Sequence, residues 1–390
     1  VIQLQSFARL NGDPALLAVD RVVGELRRGR VACVTAAPAS AVVLVAAAET
    51  ARQTVLAALR DCGSVTLVLA SERATALGVD SGAPATRLAL PPEADAALVM
   101  ALTAGAITPA LSGRAAALQA TPAGAAEVAA VALAKHAGLL PAALAVPLPT
   151  AAEAAMAPSP AAVAEPLLRV DAADIARFEQ PQDVDLERVS DARVPLEDSE
   201  DCELVVFRDA RNGTEHLAVV LGRPDLAAPV RVRMHSSCLT GDLLGSLRCD
   251  CGDQLRRAVQ QLSGEGGGVL LYLSQEGRGI GLASKLRAYR LQDAGLDTLD
   301  ANNHLGFRVD ERSFDMAAQM LRALGVARIR LLTSNPWKVK ALRAAGIEVV
   351  AQEPLHGRVN RHNARYIQVK QERAGHLPRD LSAARGPERE

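Results

Sequence analysis

The sequence predicts an α/β chain, in the sense of mixed α+β, organised as two domains. Three observations point there. The chain has 390 residues, more than one core of usual size needs, because domains cluster at about 100–200 residues. Its texture changes near Val194: the residues before it are Ala-rich with a single histidine, His136, whereas those after it gather Cys, His, Arg and Asn into short polar stretches. From Cys202 onward, strand-like and helix-like stretches alternate, the βαβ pattern. The expected division is 1–194, 195–377 and a polar tail over 378–390.

In the first part, Val31 to Thr35, Val42 to Ala46 and Val65 to Leu69 are short apolar runs suited to buried strands. Asp20 to Arg28 places Val22, Val23 and Leu26 on one helical face. Ala151 to Pro166 is low in complexity and broken by prolines, as expected of a linker or a long surface loop. Leu168 to Phe178 reads as a strand with a short helix, and the acidic stretch Gln180 to Asp201 as an inter-domain connection.

In the second part, Leu204 to Phe207 and Leu217 to Leu221 flank Arg211-Asn212-Gly213, a hairpin signal. Val230 to Met234 is a strand, and Leu255, Val259 and Leu262 give Asp253 to Leu262 the spacing of an amphipathic helix. Gly264 to Gly268 follows a helix and precedes a strand, so it reads as a turn rather than a phosphate cradle. The strand Val269 to Leu273 leads into Gln275 to Gly281 and a helix from Leu282, the order in which backbone N–H groups bind phosphate at a helix start. The dinucleotide fingerprint fails there, because Leu282 stands where its third glycine belongs. Leu282, Leu286 and Tyr289 share one helical face, so Tyr289 reads either as a core aromatic or as a functional phenol. Ser313 is a candidate start for a helix running to Gly325. Arg328 to Thr333 is a strand, Pro336 opens a lysine-bearing helix, and Ile347 to Val350 is a further strand.

Composition narrows the class. Apolar residues make up 49% and aromatics 2%, so the cores are built from Ala, Val and Leu. A formal charge of −1 gives no support to a nucleic-acid or membrane partner. Charged residues interrupt every apolar run before membrane-spanning length, and no charged-then-apolar leader opens the chain, so a cytoplasmic location is expected.

Three of the six cysteines fall together in Arg231 to Gln254, as Cys238, Cys249 and Cys251. An odd number argues against complete pairing, and Cys-x-Cys is poor geometry for an internal disulfide. Three thiolates from two nearby loops suit Zn²⁺ with an open fourth position; three buried cysteines or a partial disulfide are the alternatives. Asp310 and Tyr289 are acid–base candidates by residue type. Arg233, Arg248, Arg278, Arg312 and Lys338 concentrate positive charge at loop positions, the pattern for a polyanionic ligand.

Taken together, HSSCLTGD (His235 to Asp242), SLRCDCG (Ser246 to Gly252), QEGRGIGL (Gln275 to Leu282), LRAYRLQD (Leu286 to Asp293), LGFRVDER (Leu305 to Arg312), LTSNPWK (Leu332 to Lys338) and the closing GHL (Gly375 to Leu377) resemble GTP cyclohydrolase II, which opens riboflavin synthesis. The resemblance implies zinc on Cys238, Cys249 and Cys251, and a water delivered by it to C8 of guanine, which leaves as formate. Pyrophosphate departs as well. It assigns Arg312 as nucleophile on the α-phosphate and Asp310 as proton acceptor, with Tyr289 supporting ring hydrolysis. A guanidinium stays protonated in proteins, so a clamp on developing phosphoryl charge stands beside that assignment as the alternative role for Arg312. GTP contacts are implied at Arg233, Met234, His235, Ser236, Ser237, Gln254, Glu276, Gly277, Arg278, Thr298, Thr333 and Lys338, with Mg²⁺ accompanying the triphosphate and a homodimer as the assembly. Ser237 and Ser334 depart from the family pattern, where Glu and Asn are common.

The first part is similar, more faintly, to 3,4-dihydroxy-2-butanone 4-phosphate synthase, through LRRGRVACV (Leu26 to Val34), AAAET (Ala46 to Thr50) and KHAGLLPAALAV (Lys135 to Val146). The carboxylates and histidine that such a site needs are missing from Ala36 to Ala41 and from Gly113 to Ala126. The expectation is a non-catalytic, degenerate synthase-like domain. The rivals are a bifunctional enzyme and a catalytically silent nucleotide-binding paralogue.

Overall fold

The computed structural model describes residues 13–37, 41–148, 167–179, 186–264 and 266–378. The expected linker Ala151 to Pro166, most of the polar tail and the middle of the Ala36 to Ala41 stretch lie outside them. The described residues form two compact units: one of residues up to 182 together with 286–310, the other of 183–285 together with the residues from 311. Each is centred on one seven-stranded sheet flanked by helices, the mixed architecture expected from the sequence.

The first sheet uses β1 (Ala32–Ala36), β2 (Ala41–Ala47), β3 (Thr66–Ala70), β4 (Ala85–Ala89), β5 (Ala120–Pro122), β6 (Ala142–Leu148) and β7 (Arg169–Asp171), in the order β5-β4-β3-β6-β2-β1-β7. Only the β1–β7 pair is parallel. Alternation along β2 explains its two buried faces. Val43 and Val45 pack with Val19, Val22, Val23 and Leu26 of helix Pro14–Arg27, while Leu44 and Ala46 pack with Leu56 and Leu59 of helix Gln53–Cys62.

The second sheet uses β8 (Leu186–Arg193), β9 (Cys202–Asp209), β10 (Glu215–Leu221), β11 (Val230–Ser236), β12 (Gly268–Leu273), β13 (Arg328–Leu332) and β14 (Glu348–Glu353), in the order β14-β13-β11-β12-β10-β9-β8. The β9–β10 hairpin turns at Gly213, in the left-handed region, as its sequence predicts. β11 lies parallel to β12 and β13, and β14 is parallel to β13. The carboxyl ends of β11 and β12 therefore share one edge, where loops of open α/β sheets bind ligands.

Three expectations are corrected. The stretch Gln180 to Asp201 is no simple connection, because β8 within it pairs antiparallel with β9 along its length; its charged side chains sit on an exposed edge strand, which masks the strand pattern. In helix Gly281–Asp293, Leu282, Leu286 and Tyr289 do not form the buried face. Leu286 is 47% exposed, and Ser284, Lys285, Ala288 and Leu291 are buried instead. The helix expected from Ser313 begins at Asp315, with the Ser313 hydroxyl accepting from the Asp315 N–H.

Candidate metal centre and nucleotide site

The chain leaves β11 at Ser236 and passes Cys238 into a tight π-type turn, Leu239–Leu243, before Cys249 and Cys251 open helix Cys251–Gly264. The Sγ atoms of Cys238, Cys249 and Cys251 all lie within 4.8 Å of one another, and the Cys238–Cys249 pair is 3.7 Å apart. Two sulfurs bound tetrahedrally at about 2.3 Å to Zn²⁺ are separated by about 3.8 Å, whereas a disulfide brings them to about 2.05 Å. The trio therefore fits a thiolate metal site. Backbone packing supports the fit: a Cβ on Gly241 would stand 2.8 Å from Cys249 Sγ and 3.0 Å from Cys238 Sγ, and one on Gly252 would stand 2.2 Å from the Gly241 carbonyl oxygen. Only glycines let these two segments approach so closely.

The trio's charge is unevenly held. The Cys238 pKa is lowered, first by hydrogen bonds from Cys249 and Cys251 and then by Lys285. Cys249 is pushed up to about 11 by its bond to Cys238, and Cys251 is raised further by the same neighbours. A cation would release all three protons. Lys285 donates to Cys238 Sγ at 3.1 Å, to Thr240 at 3.0 Å and to Glu276 at 2.7 Å.

Asp242 braces the turn. Its carboxylate accepts from His235 Nε2 at 3.1 Å, from the Cys238 N–H at 2.9 Å and from the Tyr272 hydroxyl at 3.0 Å. His235 stacks on Tyr272 at 5.6 Å. Burial lowers the His235 pKa, and among the described residues its buried Nδ1 has no hydrogen-bond partner. On the far side, Arg233 donates to the Leu332 carbonyl at 2.9 Å and to Gln254 at 2.6 Å. Burial brings its pKa down to about 10. Gln254 donates in turn to Asp250, the residue between Cys249 and Cys251 in the sequence, which lies 3.4 Å from Lys370.

The glycine loop after β12 contains Gly277 and Arg278, both left-handed; among the described residues Arg278 is the one non-glycine in that region. Its carbonyl accepts from the Glu311 N–H at 3.0 Å, which holds the strained conformation. Glu276 accepts from the Leu239 N–H at 2.6 Å and so ties this loop to the cysteine turn. Arg312 donates to Ser236 at 3.3 Å and lies over the Phe314 ring, which Lys338 also approaches. Lys338 is buried and donates to the Met234 carbonyl at 2.7 Å; the Met234 side chain itself is in the core. Thr333 is buried and caps the following turn through the Asn335 N–H. The Ser237 N–H is used by Leu273.

Of the residues singled out by sequence, the structure thus gathers the three cysteines, Arg233 to Ser237, Gln254, Glu276 to Arg278, Arg312, Thr333 and Lys338 within the second unit. Tyr289, Thr298 and Asp310 belong by packing to the first unit. Sequence reasoning missed Lys285, Asp242, Tyr272, Asp250 and Lys370 as parts of this network. It also missed His376, whose pKa falls to about 3 through burial and the charges of Lys370, Arg278, Lys338 and Arg312. A signal existed for some: Asp242 and Lys285 stand inside or beside the glycine-rich motifs.

Comparison with known proteins adds the following. The family model of GTP cyclohydrolase II matches residues 187–354. A GTP cyclohydrolase-2 of Azospirillum brasilense is 42% identical over 382 residues, covering 94% of this chain and 95% of its own. One from Azotobacter vinelandii is 55% identical over 171 residues, 44% of this chain and 82% of its own. A riboflavin biosynthesis protein RibBA of Parabacteroides distasonis is 49% identical over 174 residues, 45% of this chain and 43% of its own. A crystal structure of RibBX, a two-domain 3,4-dihydroxy-2-butanone 4-phosphate synthase from A. baumannii, covers 87% of this chain and 99% of its own at 19% identity and a TM-score of 0.32, too distant to support an argument.

Proposed function

Because the chain belongs to the GTP cyclohydrolase II family, we propose that it hydrolyses GTP to 2,5-diamino-6-ribosylamino-4(3H)-pyrimidinone 5′-phosphate, releasing formate and pyrophosphate as the first step of riboflavin biosynthesis. The observation that carries this reading is the thiolate trio sharing one unit with Arg312 and Lys338, which both approach the Phe314 ring, and with Lys370, 3.4 Å from Asp250 of the Cys-Asp-Cys stretch.

Cys238, Cys249 and Cys251 would hold one Zn²⁺, which when bound supplies Lewis acidity toward the guanine ring and lowers the pKa of water. Lys285 donates to Cys238 and offsets excess thiolate charge. The cations receive the triphosphate, accompanied by Mg²⁺, and backbone N–H groups of the glycine loop add to that grip. Arg312 acts as a clamp on developing phosphoryl charge, a task that a guanidinium fork suits. Asp310 takes up a proton and the Tyr289 phenol supports hydrolysis at the ring. His235, Ser236, Ser237, Gln254, Thr298 and Thr333 complete the contacts to the nucleotide.

The first unit is, in this reading, synthase-like without synthase chemistry. The A. brasilense relative, aligned over nearly the whole chain, bears the cyclohydrolase name alone, and Gly113 to Ala126 lacks a histidine. Formation of butanone phosphate from ribulose 5-phosphate would overturn that part. A homodimer in the cytoplasm is the expected setting, and light scattering on the purified protein checks the first. Among the described residues no single helix is long and apolar enough to cross a membrane.

The deciding experiment combines elemental analysis with GTP turnover on the full chain. One zinc per chain, formate, pyrophosphate and the diaminopyrimidinone mass are expected. Zinc-loaded protein that releases no formate from GTP would sink the proposal and favour a silent nucleotide-binding paralogue.

A further inference from the structure

We infer that the chain beyond β14, residues 355–377, is a strap that holds the Cys249-Asp250-Cys251 stretch in place, with Lys370 and Asp250 as positioning residues for the metal ligands. The inference rests on the proposed function and moves Lys370 from the triphosphate grip to the metal loop. Every residue involved lies in the second unit. The strap also lies past the residues that the family model matches, 187–354, so that match assigns it no role.

Both ends of the strap return to one residue. The Ser334 hydroxyl donates to the Leu355 carbonyl at 3.3 Å, and the Ser334 carbonyl accepts from the Leu377 N–H at 2.8 Å. Between these points the chain lies against the cysteine stretch. Gly357 packs on Asp250 so closely that a Cβ there would stand 2.6 Å from the Asp250 carbonyl oxygen and 2.7 Å from the Asp250 Cβ. The Arg358 N–H donates to the Asp253 carboxylate. Asn363 is 1% exposed and donates to the carbonyls of Arg358, at 3.0 Å, and Cys249, at 3.5 Å. Helix Ala364–Ala374 then brings Lys370 to 3.4 Å from the Asp250 carboxylate, with its ammonium over the Tyr366 ring at 4.2 Å. Backbone packing, an amide and a charge thus fasten two successive residues of the ligand stretch.

Asp250 is fastened from the sheet as well. Its other oxygen accepts from Gln254 at 2.6 Å, Gln254 accepts from Arg233 at 2.6 Å, and Arg233 reaches the carbonyl of Leu332 in β13. The carboxylate therefore stands between a cation on the strap and one fixed in the sheet. Its side chain is 6% exposed. A carboxylate is costly to bury, and removing one partner of a buried pair leaves a charge uncompensated. Held at both oxygens, Asp250 fixes the backbone that carries Cys249 and Cys251. The Lys370 ammonium is engaged with Asp250 and the Tyr366 ring, and its side chain is 15% exposed, so little of it is open to a phosphate.

The test uses the full chain, stripped of metal and titrated with Zn²⁺ alone in competition with a chelator. Lys370→Met and Asp250→Asn should each weaken zinc binding by about 10–100-fold, the usual reach of outer partners of metal ligands. The double variant should be little worse than either alone, because both changes break one connection. KM for GTP in zinc-saturated Lys370→Met should be unchanged, and Gln368→Ala, on the exposed side of the same helix, should leave zinc affinity as it was. Losses that multiply in the double variant would overturn the inference. So would a raised KM with zinc affinity intact, which returns Lys370 to the triphosphate. Wild-type protein that binds no zinc would defeat the metal reading itself. The strap is then judged on the metal-free chain by amide hydrogen exchange over residues 248–254: faster exchange in Lys370→Met supports it, and unchanged exchange overturns it. If Lys370→Met does not fold, Asp250→Asn decides, and zinc affinity equal to wild type there overturns the inference.

Discussion

Lys285 and Cys249 define what single residues contribute. Three thiolates and one divalent cation leave a net charge of −1, and the Lys285 ammonium, 3.1 Å from Cys238 Sγ and 8% exposed, is placed to cancel it. Its bond to sulfur would draw electron density from the ligand and so keep a sulfur-bound zinc electrophilic, while its contacts to Glu276 and Thr240 fix it there. Replacing it by Met preserves bulk and removes charge. Outer partners of metal ligands typically matter by about 10–100-fold, so Lys285→Met should lower formate release by that factor with zinc still bound; undiminished turnover would remove Lys285 from the mechanism. Cys249→Ser goes further, replacing a thiolate ligand with a hydroxyl that does not ionise at neutral pH. Formate release should fall more than about 100-fold, beyond the outer-partner range, and zinc should fall in parallel by elemental analysis. Activity with zinc lost would contradict the metal role.

At the level of elements, the site depends on a turn that only glycine allows. The Leu239–Leu243 turn presses Gly241 against two of the three sulfurs. A methyl there must displace sulfur or backbone, and overpacking of this kind costs about 1–3 kcal/mol. Gly241→Ala should accordingly lower zinc occupancy and thermal stability together, while an alanine at Gly245, with nothing within 4 Å of its Cβ but a left-handed φ of 65°, should leave zinc bound. Equal zinc loss in both variants would mean that the turn's close packing is not what matters. The same elements show why parts of the site were readable from sequence. The cysteine spacing, the β9–β10 hairpin, Pro336 at a helix start and the glycine loop are local, and their geometry follows from a few adjacent residues. The network around them is not local. Lys285 sits on a helix whose leucines suggest a different buried face, and its role emerges only when β11 and β12 bring the cysteine turn beside the glycine loop. β8 was hidden for a similar reason: an exposed edge strand has no apolar alternation to read.

For the whole molecule, two features escape a reading by composition. One is the assignment of 286–310, continuous in sequence with the cysteine-bearing part yet packed with the N-terminal unit; it is set by long-range contacts such as Arg73 to His304, which no spacing rule anticipates. The other is charge. The net value of −1 averages charge over 390 residues and gives no support to a polyanionic partner, but burial, with the charges of Lys370, Arg278, Lys338 and Arg312 behind it, brings the His376 pKa down to about 3. A small ligand responds to the local field, not to the sum. The triphosphate should therefore bind through an attraction that salt weakens, since the screening length shortens from about 10 Å at 0.1 M to about 3 Å at 1 M. In the proposed reaction, a zinc held by the three sulfurs and the proton transfers at the ring would act over contact distances, which salt hardly screens. The expected signature is a KM for GTP that rises several-fold between low and high NaCl while kcat stays nearly constant. Arg278→Gln should both raise KM at low salt and flatten its salt dependence, because one of the charges responsible is gone. A KM indifferent to NaCl in the wild-type enzyme would show that these cations serve the fold of the loop and not the capture of the nucleotide.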